Sequence, residues 1–127
     1  MVRVWEGYIS SVDSRVDFIT FDGVRIGGTV HVINGRDVER TFYRVSDGRV
    51  VVHQVRFGKM GKDVGIAYDE SVVYVFGDLS AACRNLNIEP NSIDPHRRNA
   101  RSIVDLTEGA SVITLDEYVD EIRRYLD

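Results

Sequence analysis

The chain has 127 residues, 43% of them hydrophobic and 28% charged, with 11 glycines and 2 prolines. That composition excludes disorder, collagen and coiled coil, and the length is enough for one domain whose core needs neither metal nor disulfide. Sixteen basic against 20 acidic side chains give a net charge of -4, so the molecule as a whole has no reason to seek nucleic acid.

Cys83 has no cysteine to pair with, which excludes both an intramolecular disulfide and a zinc ribbon. The start, Met1-Val2-Arg3-Val4-Trp5-Glu6, lacks the apolar stretch of a signal peptide, and no run approaches the roughly 18 apolar residues of a membrane span. A soluble protein of the reducing cytoplasm, with no membrane partner, is expected.

Up to residue 77 apolar residues alternate in twos between turn signals, the pattern of an antiparallel meander. Strands are expected over Val4 to Val12 and Val16 to Phe21, with Asp22-Gly23 turning into Val24-Arg25-Ile26. Gly27-Gly28 marks a bulge or bend. Asn34-Gly35 joins Thr29-Val30-His31-Val32-Ile33 to a strand ending at Val45, and Ser46-Asp47-Gly48 turns that strand into Val50 to Phe57. Beyond an exposed basic tip at Gly58-Lys59-Met60-Gly61-Lys62, Gly65 to Tyr68 and Val72 to Phe76 complete six or seven strands.

The remainder reads as helical. Asp78 is an N-cap for Leu79 to Leu86, where Leu79, Ala82, Cys83 and Leu86 form one apolar stripe. Asp94-Pro95 reads as N-cap and first position of a helix to about Leu106, with Ala100, Ile103 and Val104 inward and Gly109 beyond its end. Thr114-Leu115-Asp116-Glu117 is a capping box opening a last amphipathic helix. Strands followed by helices imply an α+β fold in one domain: an antiparallel meander over 1–77, then two or three C-terminal helices over 78–127 packed on the sheet.

Hairpin register decides where chemistry can gather. A two-residue Asn34-Gly35 loop sets His31 opposite Val38. If Asp47-Gly48 is also a two-residue loop, Phe42 opposes His53, and the two histidines share a face roughly 16 Å apart, too far for one metal. A three-residue Ser46-Asp47-Gly48 loop sends His53 to the other face. Neither register implies a metal or a cofactor. The first does set Arg40, Phe42 and Arg44 beside His53, a constellation for a small metal-independent ribonuclease with the imidazole as base and the guanidiniums on phosphate. Against this stands a plain core of Phe42, Val51 and Val55 with snorkelling arginines.

Two short stretches are basic. Arg56, Lys59 and Lys62 surround the expected hairpin tip, and His96, Arg97, Arg98 and Arg101 open the expected second helix, where cations oppose the macrodipole unless something negative sits nearby. Nucleic-acid phosphates, a partner's carboxylates, or the protein's own Asp116, Glu117, Asp120 and Glu121 fit that role. Cys83, on an apolar stripe, reads as a packed thiol rather than a nucleophile.

With apolar residues on both faces of the central strands and no catalytic signature, the sequence points to a non-enzymatic binding or regulatory module of the adaptor, inhibitor or viral accessory type. It would act through a macromolecular interface, by homodimerisation or a protein partner. The alternatives are a nucleic-acid binder using the 56–62 and 96–101 segments, and the ribonuclease.

Overall fold

The computed structural model describes residues 1–10, 13–60, 67–99 and 110–126. Six strands come first: β1 (Val2–Ser10), β2 (Ser14–Phe21), β3 (Gly23–Ile33), β4 (Arg36–Val45), β5 (Val50–Met60) and β6 (Ala67–Phe76). Helix α1 (Leu79–Leu86), a 3-10 turn (Pro90–Ser92), strand β7 (Ser111–Thr114) and helix α2 (Leu115–Leu126) follow. The strands form one mostly antiparallel sheet in the order β3-β4-β5-β6-β1-β2-β7, with β7 parallel to β2.

Only Asp22 separates β2 from β3, yet β3 is one edge of the sheet and β2 lies near the other. The sheet therefore rolls, bringing its ends together: Phe21 on β2 meets Tyr43 on β4 edge to face at 5.7 Å, and Ser46 N–H donates to Asp22 O at 2.9 Å. Hairpin β1–β2 is buried on both faces. Val4, Ile19 and Phe21 join Val45, Val51, Val73, Leu115 and Tyr118 in one cluster, and Trp5, Val16 and Phe18 join Val55 in another. A third cluster packs Ala82 and Cys83 of α1 with Phe42, Val50 and Val52.

The β1–β6 ladder runs from Gly7↔Ser71 to Ser10↔Tyr68 and then stops. Side chains satisfy the carbonyls it leaves: Ser71 Oγ donates to Trp5 O at 2.6 Å, and the Tyr118 hydroxyl of α2 lies 3.0 Å from Val73 O. Gly7 sits where β1 pairs with both neighbours. Its φ of +132° and the 1.9 Å that would separate a Cβ from Arg15 O admit only glycine.

Local signals worked where the chemistry was local. Asp78 Oδ1 accepts the Ala81 N–H at 2.8 Å, and Asn87, in the left-handed region, ends α1. Thr114 Oγ1 accepts the Glu117 N–H and donates to Glu117 Oε1, opening α2. Asn34 and Gly35, at φ 52° and 75°, make a two-residue turn that places His31 opposite Val38.

The register left open at 46–48 is resolved, and two expectations need correction. The turn at 46–48 has three residues, with Val45 N–H bonded to Arg49 O, so Thr41 rather than Phe42 opposes His53. Gly58, Lys59 and Met60 are not a loop tip but the end of β5, beyond a bulge. No helix begins at Asp94-Pro95. The His96 N–H turns back to Asp94 Oδ1, while the Arg25 guanidinium takes Pro95 O at 2.9 Å and Arg97 O at 2.6 Å, carbonyls that a helix would use internally. The remainder of that expected helix, including Ala100, Ile103, Val104 and Gly109, lies outside the described residues.

Segment 93–99 is instead a strap around the edge of β3. Asp94 and Gly28 exchange both backbone hydrogen bonds at 2.9 Å. Ile93 joins the Phe42 cluster on one face, and Asn99 Nδ2 donates to Arg40 O and Thr41 Oγ1 on the other, each at 2.9 Å. Gly27-Gly28 permits this approach, because a Cβ on Gly27 would lie 2.5 Å from Asp94 O. Gly27→Ala is expected to cost about 1–3 kcal/mol of stability by urea denaturation. Gly77→Ala, whose methyl meets nothing within 4 Å, should stay within about 0.5 kcal/mol.

Candidate functional site

The three-residue turn puts two sets of polar side chains on opposite faces of β4 and β5. On the face of Thr41, His53 and Val55, His53 is 1% and Ser71 2% exposed. Ser71 Oγ lies 2.6 Å from His53 Nε2 and gives its single proton to Trp5 O. The Nε2 must therefore carry the ring proton and donate to Ser71, leaving Nδ1 as a buried acceptor without a partner. The Trp5 ring meets the imidazole edge to face at 5.8 Å.

A serine and a histidine in hydrogen-bond contact suggest a nucleophile and its base. Here the serine proton is committed to a backbone carbonyl, and neither side chain reaches the surface. Burial holds the imidazole at about 4, far below its ordinary 6.5. The pair tethers β5 and β6 to β1 where the β1–β6 ladder ends.

Arg40, Phe42 and Arg44 project from the opposite face to His53, so the shared surface required by a His53–Arg40–Arg44 site is not formed. His31 is also on that opposite face, and among the described residues no three metal-binding side chains gather. Cys83 is buried at 5% exposure, and its thiol is pushed up by burial and by Glu89, which makes it a poor nucleophile.

The face away from His53 holds the stronger candidate. Thr29, Arg40 and Gln54 stand in one cross-strand row, and His31, Val38 and Arg56 in the next. Arg40 is 9% exposed, and its Nε donates to Gln54 Oε1 at 2.8 Å. Burial lowers its affinity for its proton, Tyr74 offsets this in part and Arg56 adds to it. His31 is lowered by burial and by Arg40. Arg49 forms ion pairs with Asp47 and with Asp116.

The two basic stretches do not converge. Arg56 belongs to the face just described, while His96, Arg97 and Arg98 lie exposed on the strap, where Arg97 Nε donates to Asn99 Oδ1 at 3.0 Å. The register separates Gly28, beside Arg97, from Arg56 by roughly 14 Å of sheet. Lys59 pairs Tyr68 in the ladder; Lys62 and Arg101 lie outside the described residues. Asp116, one of the acids considered for the 96–101 cations, pairs with Arg49 at 2.8 Å instead.

Sequence reasoning named Arg40 and Arg56 in separate roles and passed over Thr29, Gln54 and His31 as their neighbours. The signal that unites them is parity: with a three-residue turn, even-numbered residues of β4 and β5 share a face. No family model matches the chain, and no curated protein or solved structure matches it.

The buried imidazole makes stability depend on pH. Unfolded, it binds a proton near 6.5, whereas folded it resists until about 4, so acid favours the unfolded chain. Stability should fall by up to about 1.4 kcal/mol per pH unit across that window, about 3 kcal/mol in all. His53→Gln keeps a donor for Ser71 and does not titrate, so urea denaturation should show the variant losing less stability than the wild type from pH 7 to 4. A constant difference would contradict a neutral buried ring.

Proposed function

We propose that the protein is a non-enzymatic binding module that works as a self-associated unit through the edge of its sheet. The observation that carries this is the free segment of β3 between the strap at Gly28 and the turn at Asn34-Gly35. Gly28 turns both its N–H and its C=O outward to Asp94. By the two-residue period of a strand, Val30 and Val32 also turn theirs outward, and among the described residues no strand pairs with them.

Edges of monomeric proteins are usually guarded by charge, proline or bulges. Thr29-Val30-His31-Val32-Ile33 has neither charged lysine or acid nor proline, and Val30 and Val32 are 37% and 69% exposed on one face. A second copy fits this edge by its own symmetry. Two β3 strands pairing antiparallel about a two-fold axis at His31 set each Val30 opposite the other copy's Val32, which satisfies the outward backbone groups and covers all four valines. The acidic net charge of -4 favours a partner surface free of acids, which this edge supplies. The sealed Ser71–His53 pair gives no support to a hydrolytic alternative.

Light scattering on a size-exclusion column should return a dimer for the wild type and a monomer for Val32→Lys, with the circular dichroism of the two superimposable. A wild type that stays monomeric at hundreds of micromolar overturns the proposal.

A further inference from the structure

The free segment of β3 carries one residue that titrates. His31 stands between Val30 and Val32 with its side chain on the other face of the strand, half-buried and opposite Val38 of β4. Its Nε2 is buried without a hydrogen-bond partner, so a second ring proton would become a buried N–H that nothing accepts. Arg36 and Arg40 of β4 flank Val38 on the His31 face, and Arg56 of β5 stands beyond Val38 in the same row. Glu70 of β6 is also in that row, three strands and roughly 14 Å away, whereas Asp37 and Glu39 project from the opposite face. The strap adds Asp94, His96, Arg97 and Arg98 near Gly28, about 10 Å along the strand. Burial and Arg40 hold the proton affinity of His31 below that of a free imidazole.

We infer that the self-association edge is a pH-sensitive contact in which the two His31 side chains, adjacent at the two-fold axis, separate the copies when acid charges them. This rests on the edge-to-edge pairing proposed above and adds its regulation. In that pairing Val30 and Val32 form the hydrogen-bonded pairs. His31 then meets its own counterpart in the non-hydrogen-bonded position, where Cα atoms approach to about 4.5 Å and side chains come closest. The two-fold axis runs perpendicular to the sheet, so both imidazoles emerge on one face. Neutral rings pack there and one donates to the other. Protonated rings are like charges directly opposite each other, with an Arg40 behind each. Pairing therefore lowers the proton affinity of His31 further. By linkage the contact holds at neutral pH and loosens as pH falls through the range in which His31 of the separated copy takes up its proton. Charge on an edge strand guards against pairing, and His31 supplies that guard only in acid. The sign is diagnostic, because acidification also moves the net charge of -4 toward zero, which by itself relieves repulsion between copies and tightens association.

The test is sedimentation velocity on the full-length protein at pH 7.5 and 5.5 with ionic strength matched, which reads the dimer dissociation constant at each. The constant should rise about fivefold or more in acid, since two protons enter per dimer. His31→Gln is polar and does not titrate, so it should dimerise at both pH values with constants within about twofold of each other. His31→Lys, a fixed charge at the axis, should be monomeric at pH 7.5. His53→Gln removes the buried ring on the opposite face and should keep the wild-type response, and circular dichroism of the wild type should superimpose at the two pH values. A wild type that dimerises with equal or greater affinity at pH 5.5, or a His31→Gln variant that loosens in acid as much as the wild type, overturns the switch and leaves the paired edge standing. A wild type that is monomeric at both pH values at hundreds of micromolar overturns the two together.

Discussion

One covalent constraint organises the molecule: strands that stand five places apart in the sheet, β3 and β2, are joined through the single residue Asp22. In the alternating sheet the two run nominally opposite. Neighbouring strands twist by about 20–25° each, so five steps accumulate roughly 100–125°, leaving a bend of about 55–80° for the chain at Asp22-Gly23. A flat sheet cannot make this connection. The roll it enforces gives hairpin β1–β2 two buried faces and brings Phe21 against Tyr43. It also parts β1 from β6, where Tyr118 of α2 reaches both Val73 O and the Glu6 carboxylate.

How polar groups are treated divides the two faces of β4–β5. Inside, the His53–Ser71–Trp5 chain is a local repair of an interrupted ladder: Ser71 Oγ takes the Trp5 carbonyl beyond the end of the β1–β6 pairing, His53 donates to that serine, and the imidazole remains neutral because charge is too costly there. On the Arg40 face a guanidinium is instead retained at 9% exposure, with its Nε donating to Gln54 Oε1.

Elements whose cause lies within a few residues were legible from sequence. Asn34-Gly35, the Asp78 cap and the Thr114–Glu117 box state their geometry in their own side chains, and each fell at the expected residues. Elements set by distant partners were not. Asp94-Pro95 has the local chemistry of a helix start, but Arg25, some 70 positions earlier, captures the carbonyls and Gly27-Gly28 supplies the space. The parallel docking of β7 on β2 and the pairing of β1 with β6 have no local signature at all. The candidate site was half legible for a related reason. Its residues were visible, but one extra residue in the 46–48 turn inverts the faces of β5 relative to the simplest hairpin, moving His53 away from Arg40 and leaving Arg40 with Arg56.

The position of β1 between β2 and β6 has a consequence for biosynthesis. The ribosome delivers β1 first, and its hairpin with β2 forms from neighbouring sequence, but the strand that completes its other side, β6, arrives about 60 residues later. Until then a nascent hairpin apolar on both sides, bearing Val4, Trp5, Phe18 and Ile19, waits without cover. Synthesis at about 5–20 residues per second makes that delay several seconds, which makes the emerging N-terminal hairpin a natural client for a chaperone and places closure of the sheet, a long-range event, among the slow steps of folding.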